Sequence, residues 1–179
     1  MITTSDDLVD LTVAALRAAN VAGGNVWSYR DWPTTPRDDP IVILDLPDED
    51  KTSLGRSGWP QFRVLATVPI TIKASRLAKP DDLGALELQQ DLAVIKRQVE
   101  VAVINAADLT ARLEHMPFVR TISKIETRDR HHGQVQLQMG MEFYQGPEAF
   151  HQPETTDLES VTITVAPFLP HQVVADLGD

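Results

Sequence analysis

Gln134-Val135-Gln136-Leu137-Gln138-Met139-Gly140-Met141-Glu142-Phe143-Tyr144-Gln145 alternates polar and apolar side chains over residues 134–145. Successive side chains of an extended chain point to opposite faces of a sheet. This period of two therefore predicts a strand with Val135, Leu137, Met139, Met141 and Phe143 on a buried face. The glutamines and Glu142 fall on the wet one. A second strand is written the same way upstream. There Phe62, Val64, Ala66, Val68, Ile70, Ile72 and Ala74 alternate with Arg63, Thr67, Thr71 and Lys73. Pro69 lacks an N–H, which marks an edge position or a bulge within that strand.

Working outward, residues 118–128 read as the partner of 134–145 in a hairpin. The turn Asp129-Arg130-His131-His132-Gly133 ends on a glycine suited to positive φ. Val26–Tyr29 and Ile41–Leu46 are two shorter strands, joined by a loop carrying Pro33, Pro36 and Pro40. Pro47–Pro60 is polar, holds Gly55 and Gly58, and is expected as a long mobile loop.

A sheet with one apolar face needs a cover. Thr4 or Ser5 caps a predicted helix running to about Asn20, with Asp6 and Asp7 in its first turn. Leu8, Leu11, Ala15 and Ala18 form its expected apolar face, and Gly23-Gly24 ends it. Pro80-Asp81-Asp82 opens a longer helix to about Asn105. Leu88, Leu92, Ile95, Val99 and Ala102 or Val103 form its stripe, and Gly84 weakens only its first turn. A short helical turn over 108–113 follows. The fold class is α+β: a mainly antiparallel sheet with two helices packed on one face, plus a C-terminal strand-containing extension. Residues 1–146 are expected as the domain. Residues 147–179, with a polar linker and the strand Val161–Val165, are expected as an extension or arm.

Charge is unevenly placed. Residues 1–50 carry ten acidic and three basic side chains, residues 51–146 ten and thirteen, and residues 147–179 six and none. Binding to phosphates needs clustered Lys and Arg, so a net charge of −10 argues against direct DNA binding. The absence of cysteine excludes a disulfide framework, a thiolate nucleophile and a cysteine-built zinc site. No stretch approaches the ~18 apolar residues of a membrane span. The acidic start lacks the form of a signal peptide, so a soluble chain made in the cytoplasm is expected, with no membrane partner.

The chain shows no Gly-x-Ser-x-Gly elbow, phosphate loop or dinucleotide fingerprint. His131-His132 is the single candidate metal pair, set against the reading of a solvated turn. Asp38-Asp39, Asp48-Glu49-Asp50 and Asp81-Asp82 read as loop or helix-start charge. No catalytic residue, metal ligand or cofactor is assigned. What remains is surface. Trp27, Tyr29, Trp32 and Trp59 are expected around two neighbouring loops, with Trp27 closing the end of the core. Trp32, Leu54 and Trp59, with Val161, Ile163 and Val165 of the terminal strand, are the candidate interface with another subunit or a partner protein.

This order of elements resembles the phage tail terminator family, also called minor tail or tail completion proteins. The resemblance runs over about residues 5–145. It includes the Leu-Gln-Gln-Asp-Leu core of the long helix and the strand ending Met-Gly-Met-Glu-Phe-Tyr. It implies a non-enzymatic virion subunit in a homo-oligomeric ring, expected as a hexamer, at the tail and neck. Such a ring caps the tail tube, terminates tail assembly and joins a head-completion or neck protein, while DNA passes through without specific binding. Two alternatives stand beside it. One is a small metal-dependent hydrolase using the His131/His132 turn. The other is a different neck or connector adaptor, or a chaperone for another structural protein.

Overall fold

The structure is a computed structural model. It describes residues 3–29, 39–55, 57–77, 79, 83–127 and 130–150, with the side chains of 124–127 and 130 outside the description. The elements are α1 (Ser5–Ala18), β1 (Val26–Ser28), β2 (Ile41–Leu44), β3 (Asp48–Ser53), β4 (Phe62–Leu77), α2 (Leu83–Ile104), α3 (Ala107–Thr110), β5 (Val119–Thr127) and β6 (Arg130–Gln145). Short 3-10 turns occupy Val21–Gly24 and Pro147–Phe150. The architecture is α+β, as the sequence predicts.

The sheet order is β1-β2-β4-β6-β5, with β3 also paired to β4. Pairing is antiparallel except between β1 and β2, which run parallel. β4 and β6 pair from Phe62↔Gln145 to Leu77↔Arg130, a ribbon about 50 Å long at ~3.3 Å per residue. The alternation predicts its faces correctly. Val64, Ala66, Val68, Ile70 and Ile72 are buried with Leu137, Met139, Met141 and Phe143, in one core with both long helices. The opposite face has no helix over it among the described residues.

Several expectations need correction. Pro69 is not at the sheet's edge, but the bulge alternative holds: residues 45–47 span only residues 68–69 of β4 between the β2 and β3 pairings. Its carbonyl accepts from the Asp45 N–H at 3.2 Å, so its nitrogen points to the same side, where β2 has ended and β3 has not begun. The missing donor faces that gap. Residues 48–53 are not loop but strand, the outer arm of a hairpin with β4. His131 and His132 are not in a turn, because β6 begins at Arg130 and sets them opposite Arg76 and Ser75. Gly133 does not take positive φ. It is instead the point where α2 presses on the sheet, since an added Cβ would sit 2.5 Å from Leu92 Cδ1.

Gly84 does more than weaken a turn. A Cβ there would lie 2.4 Å from the Leu77 carbonyl oxygen, so the start of α2 abuts the end of β4. In α1 the buried residues are Leu8, Val9, Thr12, Val13 and Leu16 rather than the Leu11-Ala15-Ala18 side. Both stripes satisfy helical spacing, but the larger Val and Leu side chains remove more apolar area from water. The α1 start carries a Thr4–Asp7 capping box. Its end is tied to β1 by Arg17, whose guanidinium donates twice to the Val26 carbonyl at 3.1 and 2.8 Å. The α2 face is as predicted, with Leu88, Leu92, Ile95, Val99 and Val103 buried.

Candidate assembly surfaces

The β3–β4 hairpin is built from backbone pairing rather than burial. All six residues of β3 are exposed. Three contacts pin the arm to the domain. Ser5 donates its hydroxyl to Glu49, Lys51 donates to Gln145 Oε1 at 3.2 Å, and the Lys51 ammonium lies 5.8 Å from the Phe150 ring centre. Phe150 in turn packs edge-on against Phe62, with ring centres 5.5 Å apart. The hairpin tip carries Leu54, 47% exposed, and Trp59, 72% exposed. An indole left that open gives up much of the burial its area could provide.

Among the described residues, Trp27 and Trp59 of the expected aromatic cluster lie far apart. Trp27 stands in register with Ile43, which stands opposite Thr71, whereas the hairpin closes at Phe62. Nine residues of β4 separate those levels, roughly 30 Å. Trp27 does not close the core either. Val26 is buried, so the alternate residue projects from the helix-free face, where Trp27 is 46% exposed and donates to Asn25 Oδ1 at 2.6 Å. Trp32, Val161, Ile163 and Val165 lie outside the described residues, as does the terminal extension beyond residue 150.

Sequence reading missed a further apolar surface. Leu83, Leu86, Val94, Val101 and Ile104 are 43–57% exposed on the side of α2 away from the sheet. Their spacings of three, eight, seven and three are helical and place them opposite the buried stripe. The signal was present, but a helix with two apolar faces reads as one broad stripe when only the core is sought.

The titratable groups that depart from their ordinary values serve the framework. The Thr4 hydroxyl and backbone N–H hold the Asp7 carboxyl below its usual range. Burial pushes the Glu49 carboxyl up, but hydrogen bonds from Ser5 and Lys51 outweigh it and leave the group lowered. Lys79 lowers Glu87 by hydrogen bonding, and burial followed by Asp6 raises the Tyr29 phenol. These are cap, hairpin and surface contacts rather than an acid–base pair facing a cleft. His131 is buried, with Nδ1 unpartnered among the described residues, while His132 is exposed on the other face of β6. The strand therefore points the two imidazoles to opposite sides, which separates them as ligands for one ion. Among the described residues no group of three or more His, Cys, Asp or Glu side chains is placed to hold a metal.

No family model matches the chain. No curated protein matches it either. A solved structure described as the virion of a native gene transfer agent particle is similar at 20% identity and a TM-score of 0.43. That likeness covers 73% of this chain and 91% of that one.

Proposed function

We propose that the chain is a structural subunit of a phage-type virion that assembles into a ring at the end of the tail tube. There it stops tube growth and offers the surface to which the head or neck joins. The observation that carries this reading is the amount of apolar side chain left on fixed surfaces. Trp59 and Leu54 crown an arm held to the domain, and Leu83, Leu86, Val94, Val101 and Ile104, with Gln90 and Arg97 between them, lie along the outer face of a 22-residue helix about 33 Å long. Extended apolar patches on a folded domain mark surfaces that another protein covers. The element order that resembles tail terminators supplies the kind of assembly, and the acidic balance suits a passage through which DNA slides without being held.

Mass photometry and negative-stain microscopy of the purified chain, alone and with tail tubes, test the reading. Closed rings that seat on tube ends are expected. A chain that stays monomeric at high concentration and ignores tubes overturns it. One that stays monomeric yet binds a single virion protein points to an adaptor instead.

A further inference from the structure

β5 ends the sheet in a backbone edge that nothing among the described residues covers. In an antiparallel ladder the N–H and C=O of one residue point to the same side, and the side alternates along the strand. The Gly140 N–H donates to the Phe118 carbonyl at 3.0 Å, so even-numbered residues of β5 face β6. Val119, Thr121, Ser123 and Ile125 therefore turn their backbone groups outward. The strand has no proline and pairs with β6 without a bulge, the devices that ordinarily blunt an exposed edge.

The side chains along this edge are as open as its backbone, for Val119, Arg120, Thr121, Ile122 and Ser123 are all exposed. Register sets Val119, Thr121 and Ser123 opposite Met139, Leu137 and Val135, which places them on the helix-covered face. α2, pressed on Gly133 of β6, leaves them open all the same. Between α2 and β5 runs a groove of about 290 Å³. Val135, Thr121 and Ser123 form its floor, and Leu92, Ala93 and Lys96 of α2 form one wall. Among the described residues no strand forms the other.

We infer that the chain's own segment Val161–Val165 pairs with the β5 edge as a further strand and fills this groove. All five of its residues are β-branched, which suits a pleated surface. They alternate Val, Thr, Ile, Thr, Val, so one face is apolar and the other carries hydroxyls. With Val161, Ile163 and Val165 toward α2, the apolar face meets Leu92, Ala93 and Val135. The threonines then share the helix-free face with Arg120, which stands opposite Gln138.

The linker decides the source and the direction. Phe150 packs on Phe62, and Val119 lies level with Val68, six residues further along β4. Six residues along and three strands across amount to about 25 Å, whereas the steps from Phe150 to Val161 span ~36 Å extended. Val161 therefore reaches Val119 of its own copy and runs on parallel to β5. An antiparallel strand would start near Ser123, about 36 Å away, with no slack for the linker to follow the surface. So short a tether holds the segment at an effective concentration on the order of millimolar, ahead of any neighbour's. Charge agrees, because residues 147–179 carry six acidic and no basic side chains and meet the edge at Arg120. The contact does not depend on ring formation. It closes the β5 edge within one subunit and leaves the β3–β4 tip and the outer face of α2 to neighbours.

Residue-resolved amide exchange on the full chain, dilute enough to be monomeric, tests it. The Thr121 and Ser123 amides should exchange slowly, and equally so at every concentration. Ile163→Asp, which puts a charge into the groove, should speed both by about tenfold or more. Thr164→Asp, on the opposite face with Arg120, should not. The chain has no cysteine, so Thr121→Cys combined with Ile163→Cys allows one disulfide, expected within a single chain on a non-reducing gel. Fast exchange of both amides in the wild-type monomer overturns the inference. Protection that appears only on assembly, or a disulfide that joins two chains, overturns it as well, because the segment then serves a neighbour's edge. Slow amides that Ile163→Asp leaves slow do the same, since something else then covers β5.

Discussion

Replacing Gly84 with alanine sets two effects of opposite sign against each other. Within a helix, alanine is favoured over glycine by about 0.8–1.0 kcal/mol, so an open site would gain stability. Here the new Cβ would stand 2.4 Å from the Leu77 carbonyl oxygen and 3.3 Å from both His131 Cδ2 and the Lys79 backbone nitrogen. The oxygen belongs to backbone at the end of β4, which cannot rotate away. The start of α2 must therefore shift by roughly 1 Å, while Leu88 and Leu92 hold it against Gly133. Overpacking of this kind costs about 1–3 kcal/mol, which exceeds the helix gain. With a 2.4 Å approach to fixed backbone the cost falls in the upper part of that range, and the expected net loss is about 1–2 kcal/mol. Urea unfolding followed by tryptophan fluorescence would show it as a lower midpoint at an unchanged slope. Gly133→Ala should lose less, because its nearest atoms are the ends of Leu92 and Leu88 side chains that can change rotamer. A Gly84→Ala protein as stable as the wild type, or more so, would refute the close approach of α2 to β4.

Other outcomes follow from the same packing. Leu88→Ala, in a fully buried site beneath α2, should lose about 2–5 kcal/mol in the same unfolding assay. Trp59→Ser and Leu54→Ser, at exposed positions, should change stability by less than about 0.5 kcal/mol yet reduce tube binding in a pull-down. Thr4→Ala should cost about 1 kcal/mol at neutral pH through the lost cap. Because Asp7 is lowered in the fold, its contribution is present above the unfolded carboxyl value near ~4 and lost as pH falls through the folded one. Urea midpoints measured from pH 7 down to pH 3 should therefore converge for Thr4→Ala and wild type.

The sequence made the central ribbon and α2 legible because burial on one side writes itself as period two or period 3.6. β4, β6 and the Leu88–Val103 stripe all carry that mark. β3 does not, because Asp-Glu-Asp-Lys-Thr-Ser is wet on both faces and is held by hydrogen bonds that composition does not encode. The Arg130-His131-His132-Gly133 stretch looks like a turn by residue type. It extends instead because β4 continues to Leu77 and offers it a partner, a nonlocal fact. The parallel run of β1 beside β2 is equally invisible, since parallel and antiparallel neighbours can share a pattern. Of the candidate interface residues, Leu54 and Trp59 stand out in the sequence as apolar side chains in a polar stretch, and the structure shows both exposed. The outer apolar residues of α2 required knowing which face was already occupied.

The long β4–β6 ribbon also fixes how the chain must fold. β5 and β6 are neighbours in sequence and can zip as a local hairpin within microseconds. β4 reaches the same strand only after all of α2 has been bridged, since even its nearest rung joins Leu77 to Arg130. The entropy of closing that loop precedes the reward of burying Phe143 and Met141, so the docking of β4 sets the overall rate. Until it docks, the apolar side of β6 is open to other chains. Refolding yield should accordingly fall with protein concentration even where the finished domain is stable.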